Sequence, residues 1–184
     1  MSKEYIITMT AANRVGILAA VTHAMSELGG DLIEPRQTVV RGFFTMIFAA
    51  VFPEHREPDV ILDHLRDVCR PFGIEVGLKD PNEEILPTES TTSNDRVVVR
   101  LEGRNAPGLL HQIGKTISVA GGDIVNLRAV CSDDRQTFSA SLHLDVSEQT
   151  TRLFERLQEL GLQCGFTPSI ESIDNASPAR IAAE

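Results

Sequence analysis

Apolar residues along this chain switch between two rhythms, and the switch happens twice in the same order. Tyr5, Ile7 and Met9 are spaced by two, so they share one face of an extended segment. Ile17, Leu18, Val21, Met25 and Leu28 follow at the spacing of one helix face. An extended segment over residues 32–40, a turn at Arg41-Gly42 and a further strand come next. A second helix is carried by Val60, Ile61, Leu65, Val68 and Phe72 and is stopped by Gly73; a short strand through Ile74, Val76 and Leu78 closes the set.

The same series recurs 92 residues later. Asn13-Arg14-Val15-Gly16-Ile17-Leu18 is matched by Asn105-Ala106-Pro107-Gly108-Leu109-Leu110, and both are followed at equal distance by Gly-Gly-Asp, ending at Asp31 and Asp123. The helical positions map onto Leu109, Leu110, Ile113, Ile117 and Ala120, and the first strand onto Val97, Val99 and Leu101. After residues 124–131 and a turn at Asp133-Asp134, the next strand alternates cleanly: Phe138, Ala140, Leu142, Leu144 and Val146 against Ser139, Ser141, His143 and Asp145. Leu153, Phe154, Leu157 and Leu160 predict the last helix, with Gly161 as its stop, and a final strand lies between Gln163 and Ile173.

The order β-α-β-β-α-β, twice over, is the split-βαβ, ferredoxin-like α+β pattern. Right-handed crossovers then put the first and third strands of each copy in the centre of the sheet and the other two at its edges. Pro35 agrees, because proline cannot donate to a ladder and is tolerated mainly on edges or at bulges. The predicted organisation is a first domain over 1–79, a polar, proline-containing linker over 80–94, a second domain over 95–173 and a loose tail over 174–184.

Composition narrows the function classes. Twenty-six Asp and Glu against seventeen Lys and Arg give a net charge of -9, which repels phosphate-rich surfaces, and with one tyrosine and no tryptophan there is little for bases to stack on. Direct nucleic-acid binding is not expected. Three widely spaced cysteines, Cys69, Cys131 and Cys164, suggest packed, reduced thiols in place of disulfides or a zinc knuckle. No run approaches the length of a membrane span, so a cytoplasmic location is the expectation. The five histidines form no ligand cluster in sequence, and no nucleophile elbow, zinc-protease helix, P-loop or dinucleotide fingerprint occurs. No catalytic residue, metal or cofactor is therefore assigned.

A strand leading into Asn-x-Pro-Gly-Leu, then a helix and a Gly-Gly-Asp turn into the next strand, resembles the ACT domain, a small-molecule-binding regulatory module. Asn105-Ala106-Pro107-Gly108-Leu109 fits this pattern; Asn13-Arg14-Val15-Gly16-Ile17 fits with Val15 in place of proline. Two such domains without a catalytic one are similar to the glycine cleavage system transcriptional repressor family, and the first half is also similar to the amino-terminal part of formyltetrahydrofolate deformylase. The resemblance implies regulation through a protein partner.

Physically, a glycine permits close backbone approach and the following helix start offers unpaired N–H groups and a positive dipole end, which suits a carboxylate. The resemblance implies that the residue at the start of the second strand, Asp31 or Asp123, helps hold an amino-acid ligand, and Asp could accept hydrogen bonds from an ammonium group. A purely structural account stands beside this: the asparagines as helix caps, Gly16 and Gly108 for tight packing, the aspartates closing turns. The family histidine two residues before the asparagine is absent, with Ala11 and Gly103 in its place. The expected partners are a free amino acid or related metabolite, a regulatory protein or enzyme, and a second copy of the chain. The competing reading is a ligand-free interaction module or a noncatalytic subunit of a metabolic enzyme.

Overall fold

The computed structural model describes residues 2–84, 95–146 and 150–172. The chain divides into two compact units, Met1–Thr88 and Glu89–Glu184. Within the segment expected as linker, Pro81–Glu84 forms a short helical turn, with the Asp80 carboxylate accepting the Asn82 N–H at 2.8 Å. Residues 85–94 and the expected tail, 174–184, lie outside the described residues.

In the first unit the elements are β1 (Ser2–Ala12), α1 (Ile17–Glu27), β2 (Asp31–Val40), β3 (Phe43–Pro53), α2 (Pro58–Cys69) and β4 (Glu75–Lys79); the turn at 81–84 is α3. The second unit repeats them as β5 (Asp95–Arg104), α4 (Leu109–Val119), β6 (Gly122–Cys131), β7 (Thr137–Val146), α5 (Thr150–Cys164) and β8 (Phe166–Ser172). The sheets run β2-β3-β1-β4 and β6-β7-β5-β8, every neighbouring pair antiparallel. This is the ferredoxin-like arrangement, with the predicted central and edge strands.

Alternation decides which face of each sheet the helices cover. Tyr5, Ile7, Met9 and Ala11 of β1 and Phe44, Met46, Phe48, Ala50 and Phe52 of β3 are buried against Ile17, Val21, Met25, Ile61 and Leu65 from the two helices. Val97, Val99 and Leu101 with Leu142, Leu144, Leu109, Ile113, Ile117 and Leu157 form a separate second core. Leu18, Leu110 and Val60, counted by their spacing with the apolar faces, are about half exposed; the buried stripe runs one position to the side of them.

In each domain the edge strand that follows the first helix, β2 or β6, carries a bulge. Ile33 pairs with Ala49 and Arg36 with Ile47, so Glu34 and Pro35 face a single residue, with Glu34 at φ 50°. In β6 the extra residue is Val125. The hairpins that follow differ in length: Arg41 and Gly42, both at positive φ, make a two-residue turn, whereas residues 133–136 make a four-residue one. Gly161 does not end the last helix, as its spacing suggested. α5 continues to Cys164, and Gly165, at φ 82°, ends it with its N–H on the Gly161 carbonyl at 2.8 Å. Gly161 is instead a contact point: a Cβ there would stand 2.4 Å from the Phe166 carbonyl oxygen of β8.

Candidate functional site

The two Asn-x-x-Gly segments form the loops between first strand and first helix. Each is pinned at its start to the tip of the neighbouring hairpin, the Asn13 N–H on the Gly42 carbonyl at 2.8 Å and the Asn105 N–H on the Gln136 carbonyl at 2.7 Å. Each ends in a glycine in the left-handed region, Gly16 at φ 96° and Gly108 at φ 80°, which is the residue flanking the helix. Thus the glycines answer a backbone need more than a packing one: space around a Cβ is open at Gly108, and at Gly16 the nearest atom is the Phe72 ring at 3.5 Å.

Neither helix start has a side-chain cap, and neither has an acidic residue in its first turn. The asparagines therefore do not cap. Asn13 is exposed, while the Asn105 amide donates from Nδ2 to the Arg135 carbonyl at 3.0 Å and so braces the loop against the longer hairpin. That hairpin is itself held by Asp134, whose carboxylate accepts from the Ser132 hydroxyl at 2.5 Å and the Gln136 N–H at 2.9 Å; these bonds hold the Asp134 carboxyl below its ordinary pKa. Arg14, Val15 and Pro107 are exposed, and Ala106 is half-buried. Ile17 and Leu109 are core residues, 2% and 5% exposed, so they can offer a ligand only their backbone.

Asp31 and Asp123 are not with these loops in their own domain. Asp31 pairs with Val51 and Asp123 with Asp145, whereas Ala12, beside Asn13, pairs with Phe43. Eight residues of β3 separate the two ends, about 26 Å at ~3.3 Å per residue. Both aspartates also share a face with residues pointing away from the helices. Within one domain, loop and aspartate therefore stand at opposite ends of the sheet.

The absent histidine has a physical reason in the second copy. A Cβ on Gly103 would stand 2.4 Å from the Gly165 carbonyl oxygen and from Phe166 Cα, so no side chain fits there; Ala11 is buried in the first core. At the same end of the second sheet a groove of about 420 Å³ is lined by Glu102, Val130, Cys131, Ser132, Thr137 and Ser139. It joins three strands and had no signal in the sequence.

Other chemistry was brought together by folding. His64 Nε2 lies 3.1 Å from one Glu27 oxygen and His23 Nε2 3.6 Å from the other, joining α1 to α2; the i,i+4 spacing of His23 and Glu27 was the visible half of this cluster. His143 and Asp145 share a face, but Asp145 is engaged by Arg96 at 3.2 Å. Among the described residues no group of three or more His, Cys, Asp or Glu is arranged to hold a metal ion, and no helix is long and apolar enough to cross a membrane. Cys69 is buried, which pushes its thiol pKa up, but Cys131 is exposed on β6, contrary to the expectation of packed thiols.

No family model matches the chain. A UPF0237 protein of Methanosarcina acetivorans is 33% identical over 76 residues, 41% of this chain and 83% of that protein. Among solved structures, an unknown protein from Galdieria sulphuraria superposes with a TM-score of 0.80 at 13% identity, over 95% of this chain and all of that one. A candidate glycine cleavage system transcriptional repressor superposes with a TM-score of 0.65 at 16% identity, over 95% and 99% of the two chains. At these identities the structural likeness speaks for the fold alone, two ferredoxin-like α+β domains in tandem.

Proposed function

We propose that this chain, which belongs to the UPF0237 family and folds as two ACT-type domains, is a noncatalytic regulatory protein that senses a free amino acid or a related small metabolite. One observation carries the reading: in both copies a glycine-ended loop opens a helix whose first turn has neither a capping side chain nor an acidic residue. The positive end of each helix dipole is left uncompensated, and although the Leu109 N–H is taken by the Ala106 carbonyl at 3.2 Å, no side chain caps the remaining first-turn N–H groups, which suit a carboxylate. Space around the glycine is open at Gly108, whereas the Phe72 ring stands near Gly16. An ammonium-holding aspartate, Asp31 or Asp123, stands at the far end of the sheet from the loop of its own domain and would be supplied by a second copy. Such a ligand would bind one state of the protein better and would shift it toward that state. The readout would be contact with a protein partner, in regulation of glycine cleavage or another branch of amino-acid metabolism; the acidic balance argues against direct nucleic-acid contact.

A thermal-shift screen against the free amino acids, glycine and serine included, tests this. A ligand at about 100 times its dissociation constant adds ~2.7 kcal/mol, a rise of roughly 5 °C or more for domains of this size. One selective riser, lost in Asp31→Ala or Asp123→Ala, supports sensing and names the contributing domain. A flat panel overturns it and favours the ligand-free interaction module or a noncatalytic enzyme subunit.

A further inference from the structure

The sheet face turned away from the helices differs sharply between the domains. In the first, β1 and β3 present Ile6, Thr8, Thr10 and Ala12 beside Phe43, Thr45, Ile47, Ala49 and Val51. None of these nine is charged, and Phe43 and Ile47 are 62% and 47% exposed. Ile33 and Val40 of β2, paired with Ala49 and Phe43, widen the apolar surface, and Ile33 and Val40 are themselves exposed. At the matching positions of the second domain stand Val98, Arg100, Glu102 and Arg104 beside Thr137, Ser139, Ser141, His143 and Asp145. There Arg96 pairs with Asp145 and Arg100 with Glu171. One fold, then, has one wet outer face and one dry one.

We infer that the outer face of β1, β2 and β3 is the contact surface for a second copy of this chain, joined face to face across a two-fold axis. Three considerations select that occupant. The size fits: three strands ~4.8 Å apart and about nine residues long have a projected footprint on the order of 400 Å². With side-chain relief added, this approaches the ~600 Å² per partner of the smallest stable interfaces. The chemistry is self-complementary: a two-fold contact sets a patch against itself, which a charged face resists and a face of Ile, Val, Ala, Phe and Thr does not. Glu4, Asp31, Glu75 and Lys79 pair in register at the margins of the face, while Arg36 of the edge strand β2 lies opposite Ile47; both signs are present, so they form a mixed surround to the apolar positions of β1 and β3. A strongly basic partner would find no acidic centre to read. Sheets packed this way sit ~10 Å apart, with Ile47 near the middle of the contact.

The inference needs no ligand, so it stands or falls apart from the sensing function. The test is the mass of the full chain by sedimentation equilibrium over a dilution series up to about 100 µM. The native chain is expected to dimerise, and Ile47→Lys, which places a charge on both sides of the axis, to weaken the dimer by more than about ten-fold. Phe43→Lys at the edge of the patch should weaken it less, and Ser141→Lys, the matching position of the second domain, should leave it unchanged. All three substituted residues are on the face turned away from the helices, and a circular dichroism melt with the native midpoint separates lost association from lost folding. A native chain monomeric at the top of the series overturns the inference, as does a dimer that Ile47→Lys leaves intact or that Ser141→Lys disrupts. In the first case the face is covered by some other partner; in the others the chain pairs elsewhere.

Discussion

The two domains are built on one plan, yet the same landmark is held differently in each. In the first, a two-residue turn at Arg41-Gly42 meets the Asn13 loop through one backbone bond, and Ala11 precedes it in the core. In the second, a four-residue turn reaches over to the Asn105 side chain, and Gly103 lets the chain at Gly165–Phe166 lie directly on β5. The repeat offset records this: 92 residues up to β6, 94 within β7, where Tyr5 opposite Ala50 becomes Val97 opposite Leu144, and 92 again at β8, where Met9 opposite Val76 becomes Leu101 opposite Pro168. The lesson is that the motif loop is a fixed requirement of the fold, while its bracing is free to vary.

The largest test of that contrast is Gly103→Ala. The new Cβ would meet backbone on two sides, so a loss on the order of 2–4 kcal/mol is expected, confined to the second core. Differential scanning calorimetry should show one transition falling by about 10 °C or more while the other holds. Ala11→Gly, the reverse change in the first domain, should cost only about 0.5–1 kcal/mol. A single transition that falls as a whole would break the picture of two separate cores.

Next in size are Gly16→Ala and Gly108→Ala. Each forces a side chain into the left-handed region, at about 1–2 kcal/mol apiece. The Phe72 contact at Gly16 is of ordinary length, so the two costs should be alike, and denaturant titrations that differ by more than the helix argument allows would show unequal loops.

Smaller still is the difference between the asparagines. Asn105→Ala removes the brace to Arg135 and should cost about 1 kcal/mol, whereas Asn13→Ala removes an exposed side chain and should cost under about 0.5 kcal/mol by the same titration. Equal losses would mean that the longer hairpin does not use its extra contact.

The least effect belongs to acid. The folded-state pKa of Asp134 is depressed, so its contribution is present above the ordinary carboxylate range and is lost as pH falls through the folded value. Amide signals of Ser132 to Gln136 should shift at a lower pH than an ordinary aspartate titrates, with Asp134→Asn abolishing the step and the Arg41-Gly42 turn showing none. Global stability should hardly change, since the group is exposed.

Much of this fold could be read from spacing alone. A period of two in β7 and a shared offset for Asn, Gly and Gly-Gly-Asp fix strand faces and topology, because both follow from local geometry. Gly161 shows the limit: as the first glycine after an apolar helix it looked like a stop, but its role was to let β8 pass, a contact set by tertiary packing, and Gly165 did the stopping. For the candidate site, the loops and their open helix starts were legible, whereas the distance between loop and aspartate was not. Asp31 stands close to Asn13 along the chain, and only the strand register shows that α1 has carried the backbone to the other end of the sheet. The dry outer face was half visible, since β3 reads as an apolar run, Phe43 to Phe52, broken only by Thr45, in which period two is hidden.

The bulge at Glu34 and Pro35 has one more consequence. It leaves Arg36–Val40 as the regular run on that free edge, five residues with a proline at its start. Segments that template fibrils are typically about six or seven residues long and free of proline. Growth by adding strand after strand is thereby blocked at β2, while a flat face can be used up in a single pairing. A chain with an adhesive surface of this kind closes at two copies and does not continue into a filament.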